Sequence, residues 1–114
     1  MRAIYWTADA ARLPTYDQAA PLRSILHWWS RRRAMQMVHD AVLANEDGCV
    51  LLAGPSGAGK SSTALACLPS PLRFLGDDYS LLELEPLPRI HCVYSVAKVS
   101  AADVDRMPHL RPLV

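Results

Sequence analysis

The chain has 114 residues, 51% of them hydrophobic, and a formal net charge of +1 at pH 7. This length fits one domain, the apolar fraction argues against a disordered chain, and the balanced charge argues against a general affinity for nucleic acid. Three cysteines without a C-x-x-C pair, no secretion signal and no long apolar run indicate a cytoplasmic protein without a membrane segment.

The chain divides into an amino-terminal segment, residues 1–20, and a domain that covers residues 21–114. Residues 3–6 form a short strand-like patch, and Pro14 interrupts any longer element. Residues 21–37 are expected to form an amphipathic helix, because apolar side chains recur at helical spacing and Pro21 suits a first turn. These apolar side chains are Leu22, Ile25, Leu26, Trp29 and Ala34.

Aromatic and basic residues are close together in this helix. Trp28 and Trp29 precede Arg31, Arg32 and Arg33, a combination that can stack bases and bind phosphates. A short charge run is more often a solvated helix face, and stacking platforms usually lie on open sheets or grooves. We favour the solvated face, with an acidic or phosphorylated partner for the arginines as the alternative.

Two strands then lead to a glycine-rich loop. Residues 37–44 and 49–53 have strand character, and residues 45–48 form the turn of a hairpin between them. A helix is expected over residues 61–68, stopped by Pro69. The loop therefore lies between a strand and a helix, which is the context of phosphate-binding loops.

The loop carries the complete pattern G-x-x-x-x-G-K-[ST] over residues 54–61. Its glycines let backbone N–H groups approach phosphate oxygens, Lys60 reaches the outer phosphates, and the Ser61 hydroxyl suits Mg²⁺. A glycine-serine turn that matches by chance is the alternative; we expect ATP and Mg²⁺ as cofactors. The predicted nucleotide-binding residues are Gly54, Pro55, Ser56, Gly57, Ala58, Gly59, Lys60, Ser61 and Ser62.

Two carboxylates follow the next strand. Residues 72–76 form a predicted strand that ends at Asp77 and Asp78, and phosphoryl transfer needs carboxylates for the metal and the nucleophile. Adjacent strand residues point to opposite faces, so both acids reach one site only if the strand ends or bends there, which Gly76 permits. A solvated Asp-Asp turn is the alternative.

Further strands are expected over residues 79–84 and 89–94, and a short helix over residues 101–107. These elements predict an α/β fold with a mainly parallel or mixed sheet and the phosphate-loop helix on one face. His39 lies in an apolar strand, where a lone histidine is more often a hydrogen-bonded core residue than a catalyst.

In order and spacing, His39, the loop and the Asp77-Asp78 pair resemble the catalytic domain of the HPr kinase/phosphorylase family. The segments His27-Trp28-Trp29 and Tyr94-Ser95-Val96-Ala97-Lys98 are similar to parts of HPr-kinase-like proteins of peptide-biosynthesis clusters, including lasso peptide kinases. The resemblance covers roughly residues 21–100 and depends on one specific motif, the loop, with several weaker ones. It implies an HPr kinase/PEP carboxykinase-like P-loop domain.

The resemblance also implies roles for the matching residues. Lys60 would contact the β- and γ-phosphates, and Ser61 would hold the metal. The Asp77-Asp78 pair would supply a further metal ligand and the base that accepts a serine hydroxyl proton; we favour Asp78 as the base and Asp77 as the metal ligand or the partner of His39. His39 would orient the carboxylates or tune their charge. The implied catalytic residues are therefore Asp78, Asp77, His39 and Lys60, and the implied metal ligands are Ser61 and Asp77.

The sequence favours an ATP- and Mg²⁺-dependent kinase that transfers the γ-phosphoryl group to a serine of a protein or peptide. Lys98 would be an auxiliary phosphate contact or a surface lysine. The family's domain is longer and has a further acidic ligand, for which Asp103 or Asp105 could substitute, so we expect this domain to be incomplete at its carboxyl terminus. The alternatives are an ATP-binding module without transfer activity and a small-molecule kinase or NTPase. The sequence does not exclude a homo-oligomer.

Overall fold

The computed structural model of the protein describes residues 2–114 and has α/β architecture. Its helices are α1 (Thr15–Ala19), α2 (Arg23–Arg31), α3 (Lys60–Ala66) and α4 (Ala101–Arg106), with 3-10 helices at Ala10–Arg12 and Pro108–Leu113. Its strands are β1 (Met35–Val38), β2 (Asp40–Ala44), β3 (Cys49–Ala53), β4 (Arg73–Asp77), β5 (Ser80–Glu83) and β6 (Arg89–Cys92). None of the described helices is long and apolar enough to cross a membrane.

The first sheet carries the glycine-rich loop. Its strand order is β3-β2-β4, and both strand pairs are antiparallel. The side-chain oxygen of Asn45 closes the β2–β3 hairpin by accepting hydrogen bonds from the N–H groups of Asp47 at 3.0 Å and Gly48 at 3.1 Å. Because β2 is antiparallel to both neighbours, β3 and β4 run in the same direction. The loop and α3 form the crossover between them.

The predicted strand over residues 37–44 is split at His39. Val38 pairs with Ser80 in a second antiparallel sheet of order β1-β5-β6, whereas Asp40 pairs with Ala53 in the first sheet. The chain therefore leaves one sheet and joins the other within two residues. His39 lies at this junction, which places it near the end of β4.

Three sequence predictions need correction. The predicted parallel or mixed sheet is wrong, because every strand pair in residues 2–114 is antiparallel. The tight hairpin places β2 beside β3, and β4 joins the other edge of β2, so the two parallel strands never pair. Residues 3–6 form no strand. Helix α2 ends at Arg31 rather than Met37, because Ala34 has a left-handed φ of 55° and β1 follows it.

The core of the first sheet lies between β2 and α3. Ala41 and Leu43 of β2 are buried together with Ala64 of α3. The partly buried side chains that pack against this cluster are Leu52, Cys67, Leu72 and Phe74. This packing fixes α3, and with it the end of the glycine-rich loop, against the sheet.

Tyr94 connects α2 to the end of β4. Its hydroxyl donates a hydrogen bond to the carbonyl oxygen of Pro21 at 2.6 Å. Its own carbonyl oxygen accepts a hydrogen bond from the backbone N–H of Asp77 at 3.3 Å. The start of α2 is thereby held close to the two carboxylates that follow β4.

Candidate nucleotide-binding site

The loop between β3 and α3 is closed by its own hydrogen bonds. Gly57 and Gly59 have φ angles of 82° and 88°, which side chains disfavour. The Lys60 ammonium donates hydrogen bonds to the carbonyl oxygens of Gly54 and Pro55, each at 3.0 Å. The predicted binding residues therefore form a compact turn whose lysine is held by carbonyl groups of the same loop.

Ser61 and Asp77 are in direct contact at the edge of the loop. The Ser61 hydroxyl, in the first turn of α3, donates a hydrogen bond to Oδ1 of Asp77 at 3.0 Å. Asp77 is the last residue of β4 and is buried. The crossover thus brings together the two residues that the sequence predicts as metal ligands.

The carboxylate of Asp78 lies in the same cavity as that of Asp77. Its left-handed φ of 70° turns the chain after β4, and Asp77 and Asp78 line one cavity. The expected bend therefore lies at Asp78 rather than at Gly76. Gly76 has another role, because a Cβ atom there would lie 2.7 Å from the carbonyl oxygen of Tyr94.

A cavity of about 290 Å³ collects most of the predicted site residues. Its lining residues are His39, Ser56, Gly57, Gly59, Lys60, Ser61, Ser62, Asp77, Asp78 and Lys98. The Lys98 ammonium lies 2.7 Å from Oδ2 of Asp78. Gly54, Pro55 and Ala58 do not line the cavity, although Gly54 and Pro55 supply the acceptors for Lys60. The placement of both acids in this cavity argues against a simple solvated turn.

His39 lines this cavity through a half-buried ring. The imidazole stacks on Tyr79, with ring centroids 5.1 Å apart and an interplanar angle of 23°. No hydrogen bond between His39 and either Asp77 or Asp78 occurs within the described residues. His39 is therefore neither a hydrogen-bonded core residue nor a direct partner of the carboxylates in this conformation.

Asp40 is a residue that the sequence reasoning missed. It is 1% exposed, and its Oδ2 accepts a hydrogen bond from the Ser80 hydroxyl, while its Oδ1 has no hydrogen-bond partner within residues 2–114. Burial raises the pKa of this carboxyl, and the Ser80 hydrogen bond and the charge of His39 oppose the rise. The available signal was a carboxylate inside the predicted strand over residues 37–44, directly after His39.

The two downstream acids do not join the site. Asp103 forms a capping box with Ser100, in which Oδ2 of Asp103 accepts from the Ser100 N–H at 2.9 Å. Its Oδ1 forms an ion pair with Arg106 at 2.8 Å. The hydrogen bonds to Asp103 lower the pKa of its carboxyl, and the hydrogen bond from the Ser100 hydroxyl contributes most. Neither Asp103 nor Asp105 lines the cavity. Asp103 therefore has a structural explanation as a helix cap.

The donor set of the cavity suits a magnesium ion that also has other ligands. Ser61 and Asp77 offer two oxygen ligands for a hard cation, a hydroxyl and a carboxylate oxygen that lie 3.0 Å apart. In the described part of the chain, no three His, Cys, Asp or Glu side chains are arranged to hold a metal. Mg²⁺ in nucleotide sites usually keeps waters and phosphate oxygens as ligands. Two protein donors are therefore sufficient for such an ion.

The aromatic and basic residues at the end of α2 and directly after it differ in exposure and contacts. Arg33 covers the ring of Trp29, with the guanidinium carbon 4.2 Å from the ring centroid. Trp28 is 59% exposed, and Arg31, Arg32 and Arg33 are all exposed. The arginine run is therefore solvated as expected, but only Arg31 belongs to the helix. Trp28 is the exposed ring of the Trp28–Trp29 pair.

Comparisons of the chain with protein families, with curated proteins and with solved structures found no match. The likeness to the HPr kinase/phosphorylase family therefore stays a prediction from the quoted motifs. The geometry of the cavity is the independent basis for a functional proposal.

Proposed function

We propose that this chain binds ATP and Mg²⁺ in a P-loop domain and transfers the γ-phosphoryl group to a serine hydroxyl of a protein or peptide. The observation that carries the proposal is the convergence of the glycine-rich loop, the Ser61–Asp77 contact and Asp78 on one cavity. A loop alone would support nucleotide binding, whereas the second carboxylate supplies a group that can act on a nucleophile.

The loop would receive the phosphate chain through its backbone N–H groups. Lys60 now donates to the carbonyl oxygens of Gly54 and Pro55. We expect its ammonium to exchange these neutral acceptors for β- and γ-phosphate oxygens, because hydrogen bonds to charged acceptors are stronger. Ser61 and Asp77 would hold Mg²⁺, which supplies neutralisation of charge on the transferred group.

Asp78 is proposed as the general base. The serine oxygen would form a bond to the γ-phosphorus as the bond from that phosphorus to the bridging oxygen of ADP breaks, and the serine proton would move to the Asp78 carboxylate. Lys98, 2.7 Å from Asp78, would release this carboxylate and contact the transferred group. Asp77 is buried beside Ser61 and is therefore better suited to the metal than to a mobile proton.

The second candidate is an ATP-binding module without transfer activity. The observation that favours it is the same Lys98–Asp78 ion pair, because a carboxylate that stays paired with an ammonium is a weaker base. A small-molecule kinase or NTPase is the third candidate. The three differ in the fate of the γ-phosphate, so one assay separates them.

The test uses the whole chain with γ-labelled ATP, Mg²⁺ and peptides that contain serine. Lys60→Ala should abolish transfer together with nucleotide binding, whereas Asp78→Asn should keep binding and lower transfer by roughly 10²- to 10⁴-fold, the usual contribution of a general base. Asp105→Asn is the matched control, since this exposed acid lies outside the cavity.

Three outcomes would count against the kinase. Undiminished transfer by both Lys60→Ala and Asp78→Asn would show that another site or a contaminant does the chemistry. Magnesium-dependent ATP binding without any labelled serine would favour the binding module. Release of free phosphate without a peptide would favour the NTPase.

A further inference from the structure

The phosphate cavity continues into a cleft along α2. A cavity of about 180 Å³ shares four lining residues with it and adds three, Tyr16, Arg23 and Tyr79. The shared residues are His39, Ser56, Asp78 and Lys98. A third cavity, of about 370 Å³, shares His39, Arg23 and Tyr79 and adds His27 and Trp28. We name these two cavities, lined by Arg23, His27, Trp28 and Tyr79, the α2 cleft. The cleft meets the phosphate cavity at Asp78 and Lys98 and at Ser56 of the loop.

Arg23 is held at the middle of the cleft. Its Nη1 donates a hydrogen bond to the Tyr79 hydroxyl at 3.2 Å, and its guanidinium carbon lies 5.3 Å from the centroid of the same ring. The Tyr79 ring stacks on His39. The position of this cation relative to the phosphate cavity is therefore fixed by packing. The other guanidinium N–H groups have no carboxylate partner within residues 2–114.

The segment that supplies Arg23, His27, Trp28 and His39 to the cleft has no acidic residue of its own, and Asp78, the acid that lines the cleft, is paired with Lys98. Residues 21–39 contain four arginines and two histidines and no Asp or Glu. Arg23, His27 and Arg31 are spaced four residues apart in α2 and therefore lie on one side of the helix. Trp28 adds an exposed aromatic surface at the cleft. A ligand that complements this cleft carries a carboxylate and an apolar group.

The direction of the cleft indicates which substrate it meets. In phosphoryl transfer the attacking and leaving oxygens are roughly in line with the transferred phosphorus. The loop would hold the leaving side, and Asp78 marks the approach of the nucleophile. The α2 cleft is lined by Asp78, the proposed base, as well as by Ser56 of the loop, so it adjoins the position from which an acceptor hydroxyl would approach.

We propose that the α2 cleft binds the acceptor peptide, and that Arg23 selects a peptide with an acidic side chain near the phosphorylated serine. This inference rests on the proposed kinase function. Arg23 would form an ion pair with the acidic side chain, and Trp28 would pack against an apolar neighbour of the serine.

The test compares peptides that differ by one charge. Each peptide has one serine and blocked termini, and carries either Asp or Glu near the serine or the matching Asn or Gln. Transfer kinetics give KM and kcat, and fluorescence anisotropy gives peptide binding without catalysis. The wild type should bind the acidic peptides about ten- to a hundredfold more tightly, as expected for a charge-assisted contact.

Two arginine variants with the same loss of charge show whether Arg23 recognises the acidic side chain of the peptide. Arg23→Gln should remove the preference for acidic peptides, whereas Arg32→Gln, at an exposed position outside the cleft, should retain it. Arg23→Glu should reverse the preference towards a peptide with Lys at the same position. This reversal cannot result from partial unfolding, which would weaken all peptides alike.

Equal affinity of the wild type for acidic and neutral peptides would overturn the proposal, as would a preference that survives in Arg23→Gln. If Trp28→Ala weakened ATP binding and left peptide affinity unchanged, the cleft would hold the nucleoside base instead. Charge-selective peptide binding without transfer would refute the kinase function but not the cleft. Transfer without charge selection would refute only the cleft assignment.

Discussion

The Ser61 hydroxyl donates a hydrogen bond to Oδ1 of Asp77 at 3.0 Å, across 16 residues of sequence. This contact joins the first turn of α3 to the last residue of β4. Both oxygens are therefore positioned before a metal arrives, which reduces the rearrangement that metal binding requires. The contact also separates the roles of the two aspartates, since Asp77 faces the serine and Asp78 faces Lys98.

The first prediction concerns this hydroxyl. Ser61→Ala should weaken ATP binding in the presence of Mg²⁺ by about ten- to a hundredfold, because a ligand to a charged group is lost. Binding in EDTA should change much less, since the loop and Lys60 remain. Titration calorimetry with and without Mg²⁺ measures both values. Thr63→Ala, an exposed position on the same helix and outside the cavity, is the control; equal losses with and without Mg²⁺ would exclude a metal role.

The second prediction separates function from stability at Lys98. The Lys98 side chain is 46% exposed, so its ion pair with Asp78 should contribute at most about 1 kcal/mol to the free energy of unfolding. Lys98→Met should therefore leave urea unfolding nearly unchanged while it lowers phosphoryl transfer. Lys98→Arg should restore part of the transfer. A surface lysine without function would show wild-type transfer in Lys98→Met.

Local sequence patterns predicted most elements because their signals are short-range. The hairpin around Asn45, the loop and helix α3, and strands β4 to β6 follow from turn residues, apolar runs and proline breaks. The break at His39 was missed because apolar residues flank His39 and Asp40 on both sides, so the sequence predicts one continuous strand over residues 37–44. The two halves pair with Ser80 and Ala53, and these long-range partners leave no mark in the run itself.

The proximity of the loop, Ser61, Asp77 and Asp78 could be predicted from the sequence, because the loop motif has fixed spacing and the two acids follow the next strand. Asp40 could not, since its burial depends on the contact with Ser80 in the other sheet. The strand order β3-β2-β4 could not be predicted from the sequence either. A strand, loop and helix predict a crossover to a parallel strand but not whether an earlier strand occupies the place between them.

The third prediction is a pH dependence caused by Asp40. Its pKa in the folded protein is raised above the ordinary 3.8, chiefly by burial. The native state therefore binds this proton more tightly than the unfolded state, and the stability that Asp40 contributes when protonated is lost as pH rises through its folded pKa. The difference in free energy of unfolding, Asp40→Asn minus wild type, should increase from pH 4 towards pH 8.

Urea unfolding at several pH values tests this relationship. Titrations of acids that do not interact with Asp40 occur in both proteins and cancel in the difference. Asp105→Asn, at an exposed position, is the control substitution. A flat difference for Asp40→Asn would mean that its carboxyl titrates alike in the folded and unfolded states.

The last prediction concerns Gly76, where two backbone segments approach each other. A Cβ atom at this position would lie 2.7 Å from the carbonyl oxygen of Tyr94 and 3.2 Å from Cβ of Cys92. The oxygen belongs to the backbone and also accepts the hydrogen bond from Asp77, so it cannot move without disturbing the end of β4. Gly76→Ala should lower the free energy of unfolding by about 1–3 kcal/mol, the usual cost of overpacking.

Urea unfolding measures this cost, and Gly57→Ala provides the contrast. At Gly57 no heavy atom lies within 4 Å of the added Cβ, and the φ of 82° is the disfavoured feature. Gly57→Ala should therefore cost only about 1–2 kcal/mol of local backbone strain and act mainly on ATP binding. Gly76→Ala should weaken ATP binding only indirectly, through any displacement of Asp77 and Asp78. A wild-type free energy of unfolding for Gly76→Ala would mean that β4 and the Tyr94 segment are not in close contact. It would also contradict the connection through Tyr94 between α2 and the two carboxylates.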